Sequence, residues 1–497
     1  MAYNEKDNVE DNVVAETEEL FRKYSSKRDS WAVDAKEDKE FRLGKQWTAE
    51  QMETLKSRGQ APIVINRVHP AVESAKAMLT SNRPSFRAAP REDSDNKVAQ
   101  VMSNLLAYMY DISDGRTAVR QAVDDYYVMG IGYLHVYQDP KMDMGKGEVC
   151  FHDVDPLDVY VDPNSRSRFF DDAENIIISK LFTKSQAEKL YPMYKDKIGN
   201  AGNNTWGNDW NAPSTGRDDN NTIHFPEDVG RVDNQEYLRG YERYYKVDVD
   251  EFRIFEKFSS KEDLMDKEAF GEYIKKGVYK VAGQIITDAK KAKELVKQLE
   301  EQRLKQVMMM EQQYADAGYD ENVERPEIPP IEVEQLRITD LIEEGQIEVV
   351  KVSMSRVKQC VIVGDKKLYE RILPIEQYPI VPIMNLHTRT PYPMSDVRLI
   401  KGLQEYINKT RSLIIAHATT STNTKILVPE GSVDMKDFEE KWAQPGVAIP
   451  YDPTDGPPVA VQPTPLGNEL YNQEQTAKND IDHALGLYEM MMGNSQN

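Results

Sequence analysis

The chain has 497 residues, of which 39% are hydrophobic, so it is long enough for two to four domains with sizeable cores. Its 84 acidic and 63 basic residues give a net charge of −21, whereas a free nucleic-acid-binding protein usually has a basic surface. Two cysteines, Cys150 and Cys360, are too few for a disulfide framework and lack metal-ligand spacing, which fits a reducing cytosol. The polar, acidic N-terminus is unlike a signal peptide, and no apolar run reaches the ~20 residues that span a bilayer.

Helical patterns dominate the N-terminal part of the chain. Residues 1–12 predict a disordered tail, and a helix follows from Val13, with Leu20, Phe21 and Tyr24 as its core anchors. The pattern then predicts an aromatic turn at residues 46–47 and a helix that begins at Thr48. An extended segment at 62–66 and a further helix at 69–80 follow.

One long helix is predicted over residues 95–129, because apolar residues recur there at helical spacing. Gly130 and Gly132 break this helix, and residues 133–137 alternate like a strand. A compact β region follows over residues 148–182.

A cluster in this β region, formed by His152, Asp153, Asp155, Asp158 and Asp162, allows two interpretations. Oxygen-rich side chains of this kind bind Mg²⁺ or Ca²⁺ in proteins. However, Asp155 and Asp162 each precede a proline, which is ordinary turn chemistry, and EF-hand spacing is absent. The cluster is therefore typical of turns, and a metal-dependent nucleic-acid enzyme is the alternative function.

Two segments look like insertions into the surrounding α+β pattern. Residues 198–233 are rich in Gly, Asn and Asp, which predicts a long polar loop. Trp206 and Trp210 in this loop either attach it to the protein body or contact a partner. Residues 288–314 combine high charge with a narrow apolar stripe, which predicts a solvent-exposed helix or a short coiled coil. Strands dominate residues 347–384.

Two long helices separated by a small β-rich segment occupy the C-terminal part of the chain. The first spans 395–421, begins at the N-cap residue type Ser395 and has its apolar residues on one face. The second spans 465–492, with proline at its start and glycine at its end. The first helix is net positive and the second net negative, which favours pairing of the two helices or of neighbouring subunits. An ordinary helical hairpin in a globular core has the same pattern.

Motifs for nucleotide, dinucleotide, zinc-protease and serine-hydrolase chemistry do not occur in the sequence, and the seven histidines are scattered. The residues alone therefore predict a large acidic α+β protein that acts as a component of an assembly.

Five segments, taken in order, resemble the portal proteins of tailed bacteriophages of the short-tailed (podovirus) type. The first is FRLGKQW followed by GQAPIVINRVHPAVESAKAMLTSNRPSF, and the second is YVMGIGYLHV followed by DVDPLDVYVDP. The segment YPIVPIMN with SDVRLIKGLQEYINKTRS resembles the entry into a portal's first stem helix. TKILVPEGS resembles the start of the clip, and HALGLYEMMMGNSQN resembles the end of the second stem helix.

This resemblance implies a portal fold with a mixed α/β wing, two long stem helices and a small α/β clip. It assigns residues 13–394 to the wing, 395–421 and 465–492 to the stem, and 422–464 to the clip. The sequence ends at Asn497, before the tunnel loop, further helix and crown that portals of this type usually have, so we expect those regions to be absent from this chain.

By the same resemblance, the chain forms a ring, typically of twelve copies, at one vertex of the virion capsid after assembly in the host cytoplasm. Viral DNA is packaged and ejected through the ring, which is not an enzyme and needs no cofactor. The implied partners are the major capsid protein, the packaging terminase, a tail adaptor protein and double-stranded DNA in the channel, and no membrane is involved.

Three lysines are predicted to contact DNA in the channel: Lys401, Lys409 and Lys425. A few basic residues in an otherwise repulsive acidic wall hold DNA only transiently, so the DNA slides. Solvated surface or intersubunit ion pairs are the alternative for these lysines. The clip residues assigned to contacts with the tail adaptor or the motor are Glu430, Asp434, Lys436, Trp442 and Tyr451.

Overall fold

The computed structural model describes residues 5–90, 95–202, 237–259, 261–286, 289–316, 330–422, 425–442, 444–454, 456–461 and 467–487. Helices and antiparallel sheets both occur along these residues, which confirms the predicted α+β class. Within these ranges no helix is long and apolar enough to cross a bilayer. The chain forms two compact units, of which the first is Met1–Tyr245, Gln359–Arg371 and Gln377–Asn497, and the second is Lys246–Lys358 and Ile372–Glu376.

The α-helices follow in chain order. They are α1 (Glu5–Arg42), α2 (Ala49–Ser57), α3 (Val68–Leu79), α4 (Asn96–Ile112), α5 (Gly115–Met129), α6 (Lys184–Leu190), α7 (Lys195–Gly199), α8 (Lys267–Ile274), α9 (Ala289–Asp316), α10 (Ile338–Glu343), α11 (Asp396–Thr422), α12 (Met435–Trp442) and α13 (Glu469–Ala484).

The strands are β1 (Ile131–Asp139), β2 (Glu148–Val154), β3 (Val159–Val161), β4 (Asn175–Thr183), β5 (Tyr237–Glu256), β6 (Lys261–Met265), β7 (Gly277–Val281), β8 (Gln284–Ile286), β9 (Val333–Arg337), β10 (Ile347–Val363), β11 (Lys366–Leu373), β12 (Ile380–Met384), β13 (Ile426–Leu427) and β14 (Val459–Ala460). They pair in the orders β12-β1-β2, β11-β10-β5-β4-β3 with β6 on β5, β8-β7-β9, and β13-β14.

Helix α1 packs on the sheet that contains β3, β4, β5 and β10. Phe21 and Tyr24, two of the predicted core anchors, are buried against Tyr160, Tyr241 and Ile362, and Leu20 is partly buried beside them. The tail predicted over residues 1–12 is wrong for most of its length, because α1 begins at Glu5. Acidic residues near a helix start interact favourably with the helix dipole, so a polar N-terminal sequence also supports a helix.

Arg28 fixes α1 to the turn before β3. Its side chain is buried, and its Nη1 donates hydrogen bonds to the carbonyl oxygens of Leu157 (3.0 Å) and Val159 (2.8 Å). The guanidinium also lies 3.8 Å from the ring centroid of Tyr160, which is cation–π geometry. A planar cation that satisfies several backbone acceptors at once is well suited to a buried position.

The single helix predicted over residues 95–129 is wrong, because the chain breaks into α4 and α5. Asp114 adopts a left-handed conformation with φ of 47°, which ends α4. The neighbouring Ser113 hydroxyl accepts a hydrogen bond from the Phe151 backbone N–H at 3.1 Å. A Cβ at Gly115 would come within 2.7 Å of the Tyr110 and Phe151 rings. The break therefore lets β2 approach the helices.

The second C-terminal helix is shorter than the predicted 465–492, because α13 ends at Ala484. Gly486 has a φ of 72°, and the N–H groups of Gly486 and Leu487 donate to the carbonyls of His483 and Asp482. This is a Schellman C-cap, which ends a helix at a glycine in the left-handed conformation. The predicted start at Pro465 and the predicted end of this helix lie outside the described residues.

The second unit has its own core, formed by Ile254, Tyr273, Val278, Ile338 and Leu341 among others. The predicted charged helix 288–314 corresponds to α9, whose apolar stripe is only partly buried. The polar loop predicted over 198–233, with Trp206 and Trp210, lies outside the described residues from position 203 onward.

Candidate functional site

Helices α11 and α13 lie side by side. Ile400 and Ile407 of α11 belong to the same buried cluster as Ala477 and Ile481 of α13, and α1, α3 and α5 complete this cluster. Helix α11 starts as predicted, because the Arg398 N–H donates to the Ser395 hydroxyl at 3.0 Å. The N-cap satisfies one of the free N–H groups at the start of the helix.

A buried ion pair connects α11 and α13. Glu474 of α13 is almost fully buried, and its Oε1 accepts hydrogen bonds or ion pairs from Arg411 of α11 and from Lys478 (2.6 Å). Tyr406 of α11 donates to Gln473 of α13 at 2.8 Å. The sequence predicted that the opposite charges of the two helices pair either with each other or between subunits. Arg411 and Glu474 pair within one chain.

A row of buried polar side chains on α11 fixes the extended segment before α3. Gln404 Oε1 accepts from the Arg67 N–H, and Asn408 Oδ1 accepts from the Ile65 N–H, both at 2.9 Å. Gln404 Nε2 returns a hydrogen bond to the Ile65 carbonyl at 2.8 Å. The two α11 side chains are four residues apart, so they lie on one helix face.

We call Gln404, Asn408 and Ser412 the α11 polar row. Asn408 also donates to Gln46 Oε1 at 2.6 Å, and the Ser412 hydroxyl lies 3.4 Å from the Ile63 N–H. This row was not predicted from the sequence, although a local signal is present: its polar residues recur every four positions along a helix with apolar neighbours. Buried backbone groups need hydrogen-bond partners, and the side chains of the α11 polar row provide them for the extended segment, which pairs with no strand among the described residues.

Lys401 is bound within the chain. Its ammonium forms an ion pair with Glu37 of α1 and lies 5.5 Å from the ring centroid of Phe41. This ammonium, followed by Arg398, holds the pKa of Glu37 below its ordinary value, although partial burial opposes the shift. The Lys401 side chain is only 18% exposed, so it stabilises the contact between α1 and α11.

The other two channel candidates are exposed. Lys409 lies on the solvent side of α11, and Lys425 follows the end of α11 just before β13. The structure therefore separates the three candidate lysines into one that is bound to α1 and two that are open to solvent.

Helix α11 has a second apolar row that is exposed to solvent, although the Tyr406 hydroxyl at its middle also contacts Gln473 of α13. Leu399, Tyr406 and Leu413 are exposed and recur every seven residues, which places them on one side of the helix. Helices that pack on only one neighbour usually have polar residues on the opposite side. The exposed row therefore leaves α11 with a surface for another partner.

The predicted clip contacts lie on and around α12 and the β13–β14 pair. All five, Glu430, Asp434, Lys436, Trp442 and Tyr451, are exposed. Asp434 Oδ1 accepts from the Lys436 N–H at 3.0 Å, so its carboxylate helps to start α12. The Trp442 ring lies 4.9 Å from Phe438, and Trp442 and Tyr451 are each 48% exposed.

A family model for phage P22-like portal proteins matches residues 18–497. The chain belongs to the P22-like portal protein family. Membership identifies it as a portal vertex subunit of a phage virion, and it implies an oligomeric ring associated with capsid and DNA. The family consists of structural proteins rather than enzymes. A comparison with curated proteins found no match.

In this portal subunit two aspartates of the predicted cluster, Asp155 and Asp162, form turns. Asp155 Oδ1 accepts from the Leu157 N–H at 2.8 Å, and Asp162 Oδ1 accepts from the Asn164 N–H at 3.0 Å. Such side-chain hydrogen bonds to the backbone two residues later are typical of turns. Among the residues that the structure describes, no group of three or more His, Cys, Asp or Glu side chains is arranged to hold a metal ion.

His152 pairs directly with His135 across β1 and β2, and their ring centroids are 5.3 Å apart. His135 Nε2 lies 2.9 Å from the Tyr244 hydroxyl, which donates to Glu242. Burial lowers the pKa of both histidines, and burial with the neighbouring His135 lowers the pKa of His152 to about 4. Both rings are therefore neutral in the folded portal subunit at neutral pH.

Because of this histidine pair, we expect the folded chain to be less stable in mild acid than at neutral pH. His152 takes up a proton near pH 6.5 in the unfolded chain but only near pH 4 in the folded chain, so the free energy of unfolding falls as the pH is lowered between these values. We expect the thermal midpoint of the first unit to fall on the order of 5 °C between pH 7.5 and 5. His152→Gln should reduce this fall, and the exposed His69→Gln should not. Equal pH dependence in all three proteins would contradict the assignment.

Proposed function

We propose that α11 and α13 form the wall of a DNA channel in a closed ring of this portal subunit. The observation that carries the proposal is the pairing of the two helices together with the exposed row Leu399, Tyr406 and Leu413. In a ring each wall element packs on its own partner helix and on the neighbouring copy, so it needs two apolar surfaces. Twelve copies are the expected number.

The regions of the portal follow from this placement. Residues 13–394 form the wing, α11 and α13 form the stem, and α12 with β13 and β14 forms the clip. The clip docks the packaging terminase and later a tail adaptor, through the exposed residues Glu430, Asp434, Lys436, Trp442 and Tyr451. Half-exposed aromatic residues are frequent at the centres of protein interfaces, which favours Trp442 and Tyr451 as the main contacts.

DNA moves through the ring because the wall attracts it only weakly. A ring of chains that each carry a charge of −21 repels phosphate, and a few exposed lysines supply transient contacts. Lys409 and Lys425 are suited to this role because both are exposed. Lys401 is less suited, since it is bound to Glu37. The ring does not catalyse a reaction and holds no cofactor; a separate motor drives the DNA.

Charge reversal tests the DNA contacts. We expect Lys409→Glu combined with Lys425→Glu to reduce the yield of DNA-filled particles about tenfold, because the wall loses its attractive sites. Lys305→Glu in the exposed part of α9 is the matched control and should package like the wild type. The readout is the ratio of filled to empty particles in a complementation assay, with ring formation checked separately. Wild-type packaging by the double variant, in intact rings, would refute the lysine contacts.

A further inference from the structure

Helix α4 exposes an apolar face. Thirteen consecutive residues, 98–110, contain no charged side chain, although 30% of the whole chain is charged. Five large apolar side chains on this stretch are 39–64% exposed. Their spacing of i, i+3, i+4, i+7 and i+8 places them on one side of the helix. We call this set the α4 apolar face: Val98, Val101, Met102, Leu105 and Leu106.

The orientation of α4 is fixed by contacts on its other side. Ala99 and Tyr110 are buried, and the Tyr110 ring lies between Phe86 (5.7 Å) and Phe151 (6.0 Å). The Ser103 hydroxyl accepts a hydrogen bond from the Ala88 N–H at 2.9 Å. Helix α4 therefore cannot rotate its apolar face inward without losing these contacts.

The size of the face indicates an interface. Five side chains of this kind form a patch on the order of several hundred Å², which is at the upper limit for monomeric soluble proteins. A stable protein interface takes about 800 Å² from each partner, so the patch supplies a substantial part of one. The exposed apolar row of α11 differs from this face, because the exposed charged residues Glu405 and Lys409 stand among its members.

We propose that a neighbouring copy of this chain covers the α4 apolar face in the assembled ring. The proposal rests on ring formation, the proposed function above. Copies that each carry a charge of −21 repel one another, so they approach most easily where the surface has no charge. None of the five side chains of the face is basic, and Lys97, the one cation of the helix, is not among them. The face therefore does not suit DNA or an acidic partner. Rings join two different surfaces, so the face meets another part of the next subunit.

The first test changes the charge of the face. Val101→Asp combined with Leu105→Asp should lower the ring fraction at least tenfold at equal protein concentration, measured by sedimentation velocity. Gln100→Asp combined with Asn104→Asp is the matched control: it adds the same charge to the same helix, outside the face, and should assemble like the wild type. Circular dichroism checks that the variants fold. Normal ring formation by the Val101→Asp/Leu105→Asp variant would overturn the proposal.

A cross-linking test does not depend on a destabilised variant. A photoreactive side chain at position 105 of the full chain should form an adduct with a second copy, which mass spectrometry identifies as an intermolecular peptide pair. An adduct within the same chain, an adduct with a different protein, or no adduct in assembled rings would overturn the proposal. If the unmodified chain forms no ring at all, the proposed function fails as well. If it forms rings but the expected adduct is missing, only the assignment of the α4 apolar face fails.

Discussion

Replacing Glu474 by alanine is expected to destabilise the pairing of α11 and α13 by about 3 kcal/mol. The carboxylate is almost fully buried and serves two cations, Arg411 and Lys478. Removing it leaves both cations partly buried without their shared anion, and breaking a buried ion pair on one side is much costlier than losing a surface pair.

Hydrogen exchange measures this effect locally. The free energy of opening of the α13 amides should fall by the stated amount in Glu474→Ala, whereas amides of the second unit should be unchanged, because the two units have separate cores. Asp480→Ala, an exposed carboxylate on the same helix, is the control and should change the opening free energy by less than about 0.5 kcal/mol. Equal protection of α13 in the two variants would show that the Arg411–Glu474 pair does not hold the helices together.

Replacing Arg28 by methionine is expected to have the largest effect on the fold of the first unit. The buried guanidinium is a hydrogen-bond donor to the backbone carbonyls of Pro156, Leu157 and Val159. Each buried acceptor left without a donor costs about 1–3 kcal/mol, so the total loss is on the order of 5 kcal/mol. Arg28→Lys should not restore stability, because one ammonium cannot satisfy the same acceptors in a planar arrangement.

The control for this experiment is the exposed neighbour Lys27, whose replacement by methionine removes the same charge from α1. Thermal unfolding followed by limited proteolysis of α1 reports the outcome. We expect Arg28→Met to expose α1 at temperatures at which Lys27→Met is still resistant. Equal resistance would mean that the helix is held by its apolar anchors alone.

Periodicity predicted the elements that depend on local sequence. Helix α11, its cap at Ser395 and the anchors Phe21 and Tyr24 could be predicted, because an apolar stripe and an N-cap are visible within a few residues. The end of α13 was also visible in principle. Gly486 is a suitable C-cap residue, but the apolar residues beyond it favoured a longer helix.

Contacts between distant residues could not be predicted from patterns. Arg28 meets carbonyls about 130 positions later in the chain, and Lys401 meets Glu37, 364 positions earlier. Nothing near either residue indicates its partner. Lys401 was therefore predicted to face the DNA channel, whereas in the structure it forms an ion pair within the chain. The α11 polar row differs, because its four-residue spacing is visible in the local sequence.

The most direct test of the account is electron microscopy of the purified, full-length chain. We predict closed rings, twelve-fold by expectation, with a central pore lined by α11 and α13 and wide enough for duplex DNA. Monomers or small compact oligomers without a pore, or rings in which these two helices lie away from the opening, would contradict it.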